Sequence, residues 1–213
     1  MRAWFALAVV VVMSLQQPEP PAILQIYRVS LNPGAEAAFD AIERQIATLC
    51  ATLQCPHPYL GLESVTGPKE VWFLNGYQSA GEQKEVDAAY KRNVPLMTGM
   101  TELAARRNPY THSPSTTIAM RSTEARSGTT WSLGRGRFLV VVVTHQTRET
   151  DGAVYDASEG LRVIVWAVQT REEAERHAAS LGSEARVLAV RPDWTHPDPS
   201  WVEQDPSFWR KPR

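Results

Sequence analysis

The chain has 213 residues, with 22 Lys and Arg against 23 Asp and Glu, and is 43% hydrophobic and 21% charged. This composition is globular and excludes a disordered, collagen-like or membrane-spanning chain. A net charge of −1 and a pI near 6.5 argue against nucleic-acid binding through bulk charge, and two cysteines are too few for a disulfide scaffold or a Cys-based zinc site.

Residues 1–21 read as a signal peptide followed by a proline-rich spacer. Met1-Arg2 places a positive charge ahead of an uncharged apolar run, Ala3 to Met13. As a helix that run covers about 16 Å, short of a bilayer core of about 30 Å, and it fits a secretory h-region. The alternative is a buried strand over Val9 to Val12. Gln16 to Pro21 forms the spacer. The expectation is an exported protein, periplasmic or secreted, with no membrane attachment after cleavage.

Residues 22–122 carry a βαββαβ pattern. Ala22 to Leu31 alternates as a strand, and Asn32-Pro33-Gly34 is a turn signal. Phe39, Ile42, Ile46, Leu49 and Leu53 recur at steps of three and four, which predicts a helix from about 35 to 54 with one apolar face. Cys50 and Cys55 fall at its end, spaced to close a small disulfide loop in an oxidising compartment; a buried, unpaired Cys50 is the other reading. Tyr59 to Val65 and Glu70 to Tyr77 read as a hairpin across Thr66-Gly67-Pro68-Lys69. Ser79 to Glu82 matches a capping box ahead of a helical stretch to about Arg107, which Pro95 should divide near Asn93. Ser115 to Met120 is a fourth strand.

Residues 123–136 are a Ser/Gly/Arg linker, and 137–194 begin a second, abbreviated unit. Phe138 to Thr144 is continuously apolar, so both faces should be covered. Residues 147–160 read as a polar connection containing Tyr155. Leu161 to Val168 is a strand, Thr170 to Glu173 another capping box, and Gly182 a helix C-cap before the strand at 185–190. Val71 to Leu74 followed by Ser79-x-x-Glu82 parallels Val163 to Trp166 followed by Thr170-x-x-Glu173. Residues 195–213 are a Pro/Trp-rich tail. Its prolines argue against regular structure, and Trp201, Phe208 and Trp209 favour docking on the protein body.

The predicted class is α+β: two ferredoxin-like (βαββαβ) halves, the second abbreviated, each an antiparallel sheet with helices on one face. At this point the sequence resembles the dimeric α/β-barrel superfamily, in particular its antibiotic-biosynthesis-monooxygenase-like and NIPSNAP-like groups. Pro33-Gly34 before a helix bearing Phe39, and Trp166, Thr170, Glu173, Ala174 and His177, carry the resemblance. It implies a sheet closing on a second sheet, half on half or chain on chain, with a ligand cavity between sheet and helices.

The residues expected to line such a cavity are His177, Asn75, Trp72, Tyr27, Trp166 and His145. His177 shares a helix face with Ala174, Ala178 and Leu181. His145 ends a buried strand. In cofactor-less monooxygenases of the superfamily, Asn, Trp and Tyr activate a phenolic substrate towards oxygen. Trp72 and Asn75 are three apart on a strand, so only one can face a given cavity. No His-x-x-x-His, His-Glu-x-x-His or acidic pair suggests a metal site. The leading expectation is a small-molecule-binding or dimerising module for a small hydrophobic or aromatic ligand, without established catalysis, cofactor or nucleic-acid partner, and open to homodimerisation. The alternatives are a cofactor-independent monooxygenase-like enzyme on a phenolic or quinone substrate, and a haem-binding protein using His177.

Overall fold

The computed structural model describes residues 20–123, 131–147 and 150–210; the N-terminal apolar run lies outside them. Strand β1 (Ile23–Leu31) leads through the Gly34 turn into α1 (Glu36–Leu53). The hairpin is β2 (Leu60–Ser64) and β3 (Glu70–Tyr77). Helices α2 (Ala80–Arg92) and α3 (Val94–Arg107) follow, and β4 (Thr111–Arg121) closes the first unit. The break between α2 and α3 falls at Asn93, two residues before Pro95. The Asn93 side chain caps α3 by accepting from Leu96 N at 3.3 Å, and it donates to Leu53 O at 2.9 Å, which ties the break to the end of α1. Cys50 and Cys55 are joined as a disulfide at the same end, across the left-handed residue Gln54.

The second unit holds β5 (Phe138–Thr144), β6 (Ala153–Asp156), β7 (Arg162–Val168), α4 (Arg171–Leu181) and β8 (Ala185–Val190). Both capping boxes form: Ser79 Oγ accepts from Glu82 N at 3.0 Å, and Thr170 Oγ1 from Glu173 N at 3.2 Å. The eight strands close into one antiparallel barrel in the order β1-β3-β2-β8-β5-β7-β6-β4. Its seams between the two units are β2 with β8 and β4 with β6.

Alternate residues of every strand meet inside the barrel. Leu24 and Ile26, Leu60 and Leu62, Trp72 and Leu74, Ala119, Leu139 and Val141, Ala153 and Tyr155, Val163 and Val165, and Leu188 and Val190 share one buried cluster. Trp131, Leu133, Trp201 and Trp209 join that cluster from outside the strands. Trp131 meets Tyr155 edge-on at 5.8 Å, and Trp201 lies 5.9 Å from Trp209. Gly134 passes so close to Trp201 that a Cβ there would sit 2.2 Å from the indole, and its φ is +81°; this close approach requires glycine. The outer faces carry three further clusters among the described residues, one under α1 and α3, one under α4 and a small one of Ile23, Tyr77 and Val86 beside α2.

Two expectations need correction. The segment 147–160 is not merely a polar connection, because it contains β6, which pairs with both β4 and β7. Only four residues long and flanked by Thr, Asp and Gly, β6 shows too little alternation to be read, yet closing the barrel requires it. The tail is not irregular either. It forms α5 (Pro199–Gln204) and α6 (Pro206–Trp209), each with Pro in the first turn and an Asp cap, Asp198 and Asp205. Proline at that position lacks only an N–H that a helix start leaves unbonded, so it initiates rather than breaks. Trp131 also shows that the 123–136 linker contributes to the core.

Arg191, just after β8, fastens the β2–β8 seam. It donates to Glu63 of β2 at 2.7 Å, to Asp193 at 3.1 Å, and to Asp40 of α1. Its guanidinium lies 3.9 Å over the Trp194 ring, whose Nε1 donates to Asp40 at 3.0 Å. Burial tends to raise the Asp40 pKa, but these bonds outweigh it and hold the carboxyl below its usual range.

Truncating the barrel plug should be costly. Trp201→Ala is expected to lower unfolding free energy by about 3–5 kcal/mol, whereas Val94→Ala, at a side chain 64% exposed, should stay within about 0.5 kcal/mol of wild type. Urea unfolding midpoints check both.

Candidate functional site

The described side chains of the barrel interior form one buried cluster. A cavity of about 440 Å3 opens between the outer face of β1 and β3 and the helices α1, α2 and α3. The sheet supplies Gln25, Tyr27, Phe73, Asn75 and Tyr77, every second residue of each strand, as the pleat requires. Tyr59, just before β2, adds a further ring. Helix α1 supplies Glu43 and Ile46, α2 supplies Asp87 and Tyr90, and α3 supplies Met97, Met100, Thr101, Ala104 and Arg107. The division of α2 from α3 at Asn93 lets both helices contribute to one wall.

The walls are largely apolar and aromatic, with one concentrated polar spot. Glu43 is only 1% exposed. Its Oε1 accepts from Arg107 Nη1 at 3.0 Å, while Oε2 has no hydrogen-bond partner among the described residues. Neither the Tyr59 hydroxyl nor Arg107 Nε has one. Burial pushes the Glu43 carboxyl pKa up, and the Arg107 charge and hydrogen bond pull it part of the way back. Arg107 also lies 5.5 Å over the Tyr27 ring. Burial pushes the Tyr59 phenol far above its ordinary value, and the Tyr77 and Tyr90 phenols up to about 12, so all three are protonated near neutral pH. Tyr77 spends its proton on Gln25 Oε1 at 3.2 Å, and its ring stacks on His57 at 4.6 Å.

The structure separates the residues singled out from the sequence. Tyr27 and Asn75 line the cavity together. Trp72 points into the barrel, where Arg28 covers its ring at 5.4 Å and its Nε1 donates to Glu70 at 3.1 Å. Trp166 and His177 pack edge-on at 4.9 Å on the outer face of the other unit, and Trp166 Nε1 donates to Asp151 at 2.8 Å. His145 is exposed in the turn after β5 and does not face the cavity. His177 Nε2 is buried without a hydrogen-bond partner among the described residues, and the Trp166 indole packs against its imidazole.

Sequence reasoning passed over Glu43, Tyr59 and Arg107. A signal for Glu43 was present, since it sits four residues after Phe39 and three before Ile46, within the apolar stripe of α1. A carboxylate on that stripe must find a partner or lose its charge. The partner is 64 residues away in sequence, a distance no helical periodicity reveals.

No sequence-family model and no curated protein matches the chain. Among solved structures, a monooxygenase candidate of Fusobacterium nucleatum subsp. nucleatum superposes with a TM-score of 0.52 at 7% identity, over 80% of this chain and 93% of that one. A monooxygenase candidate of Lactobacillus acidophilus NCFM gives 0.45 at 9% identity, over 83% and 96% of the two chains. A chlorite dismutase candidate gives 0.46 at 9% identity, over 81% and 96%. The chain is an antiparallel α+β barrel of ferredoxin-like type. The likeness to the Fusobacterium protein extends over most of both chains, and at this level of identity it speaks to fold alone.

The Glu43 carboxyl holds its proton more tightly in the folded than in the unfolded chain. Its contribution to stability is therefore full below the unfolded value of 4.5 and is lost as pH rises through the raised folded value. Glu43→Gln removes that dependence. Its stability relative to wild type should rise as the pH is raised from 4.5, as read from urea midpoints at each pH.

Proposed function

We propose that the chain is a small-molecule-binding protein whose ligand, a largely apolar or aromatic molecule, occupies the cavity between β1, β3 and the helices α1 to α3. The observation that carries this reading is the cavity itself. It has about 440 Å3 of space, apolar walls and a few convergent polar groups, the composition of small-molecule sites, which span about 300–1,000 Å3. A second reading, cofactor-independent oxygenation of a phenolic or quinone ring, is favoured by the placement of Asn75 and Tyr27 on that cavity. Trp72, inside the barrel, takes no part in it.

The strand order supports two ferredoxin-like halves, the second abbreviated. The first runs β4-β1-β3-β2 and the second β8-β5-β7-β6, the same sequence of positions, with no helix among the described residues after the first strand of the second. Because the seams close within one chain, a homodimer would use another surface. The Cys50–Cys55 disulfide supports export to an oxidising compartment.

Calorimetric titration with 2-naphthol tests the binding reading. Saturable binding with a rise in Tm is expected for the wild type and for His177→Ala. Ala104→Phe, which fills the cavity, should lose at least tenfold in affinity while remaining folded by circular dichroism. Binding unaffected by Ala104→Phe, or no binding, sinks the reading. Oxygen uptake with anthrone and no added cofactor, diminished in Asn75→Ala, is the result expected on the second reading.

A further inference from the structure

We infer that the cavity selects an uncharged ligand carrying an adjacent hydrogen-bond donor and acceptor, a carboxamide or lactam, over cationic or anionic analogues of the same shape. This inference rests on the binding reading above and specifies what the polar end of that cavity recognises.

The polar end already contains both signs of charge. Glu43 and Arg107 neutralise one another through the Oε1–Nη1 bond of 3.0 Å. Among its buried atoms the pair leaves one acceptor, Glu43 Oε2, and one donor, Arg107 Nε, without partners among the described residues. Tyr59 places a hydroxyl in the same lining, also without a partner, able to give or to accept. The buried unpartnered atoms of this polar end are therefore one acceptor and one donor, with one hydroxyl free to turn either way.

A carboxamide matches that count. Its N–H donates to Glu43 Oε2, and its carbonyl accepts from Arg107 Nε or the Tyr59 hydroxyl. A carboxylate satisfies the donors but sets a lone pair against Oε2, with no proton between them. An ammonium satisfies Oε2 but faces the Arg107 N–H. Each ion also brings a charge that the closed Glu43–Arg107 pair does not offset. Asp87 adds a carboxylate, but it is exposed, so water screens it and its effect on the buried end is small. The aromatic walls, Tyr27, Phe73 and Tyr90, hold the apolar body of the ligand. A mismatched hydrogen bond to a buried charged group lowers affinity by about tenfold or more.

Three probes of one shape test this: 3-phenylpropanamide, 3-phenylpropanoate and 3-phenylpropylamine, titrated calorimetrically into the full chain at pH 7. The amide should bind about tenfold tighter than either ion. In Glu43→Gln the Arg107 charge is no longer offset, so the carboxylate should overtake the amide. In Arg107→Gln the amine should do so. A structural role for the pair would weaken all three probes together and leave their order unchanged. That outcome, or an ion that equals the amide in the wild type while 2-naphthol still binds, overturns the inference and leaves the binding reading standing. If neither 2-naphthol nor any of the three probes binds, both fall. Because the two substitutions predict opposite reversals, either one suffices should the other fail to fold.

Discussion

Closure of the sheet governs the rest of this structure. Eight antiparallel strands that return on themselves leave no free edge, and they enclose a space that side chains must fill. The strands supply most of the filling as leucine, valine and isoleucine. They do not complete it: Trp131, Trp201 and Trp209 enter from segments that belong to no strand. Those indoles join the strand side chains in one buried cluster. The cavity of about 440 Å3 lies on the outer surface of the sheet, where the first unit places three helices over it.

Two arginine centres show how similar chemistry serves different ends. Arg191 is bonded to three carboxylates and stacked on Trp194, so its hydrogen-bonding capacity is largely spent. It behaves as a fastener between β2, β8 and α1. Arg107 meets a single carboxylate in a drier place, and that pair keeps an acceptor and a donor in reserve. Saturated charge clusters hold elements in register, whereas an undersatisfied pair beside a cavity offers something to a guest.

Most elements were legible in the sequence because each satisfied a local rule strongly. The stripe of Phe39, Ile42 and Ile46 marks α1, Pro95 marks the break at Asn93, and Ser79 and Thr170 mark two helix starts. Each of these signals is complete within a few residues. The parts that escaped depend on distant partners. β6 is a strand because β4 and β7 flank it, not because Ala153 to Asp156 alternates. The tail folds as two short helices because Asp198 and Asp205 cap them and Trp201 and Trp209 have a core to enter. The site divides in the same way. Strand parity separates Asn75 from Trp72, but Glu43, Tyr59 and Arg107 come together only once α1, the loop before β2 and the end of α3 are packed.

The placement of Trp201 and Trp209 bears on the order in which the chain acquires its structure. Both rings lie C-terminal to all eight strands, so during synthesis they are the last pieces of the core to become available. The first unit, with its helices and its Cys50–Cys55 link, is assembled from earlier sequence. The barrel as a whole waits for its stopper. A chain cut before Trp201 would lack two of the indoles of the barrel cluster and would leave that apolar surface uncovered.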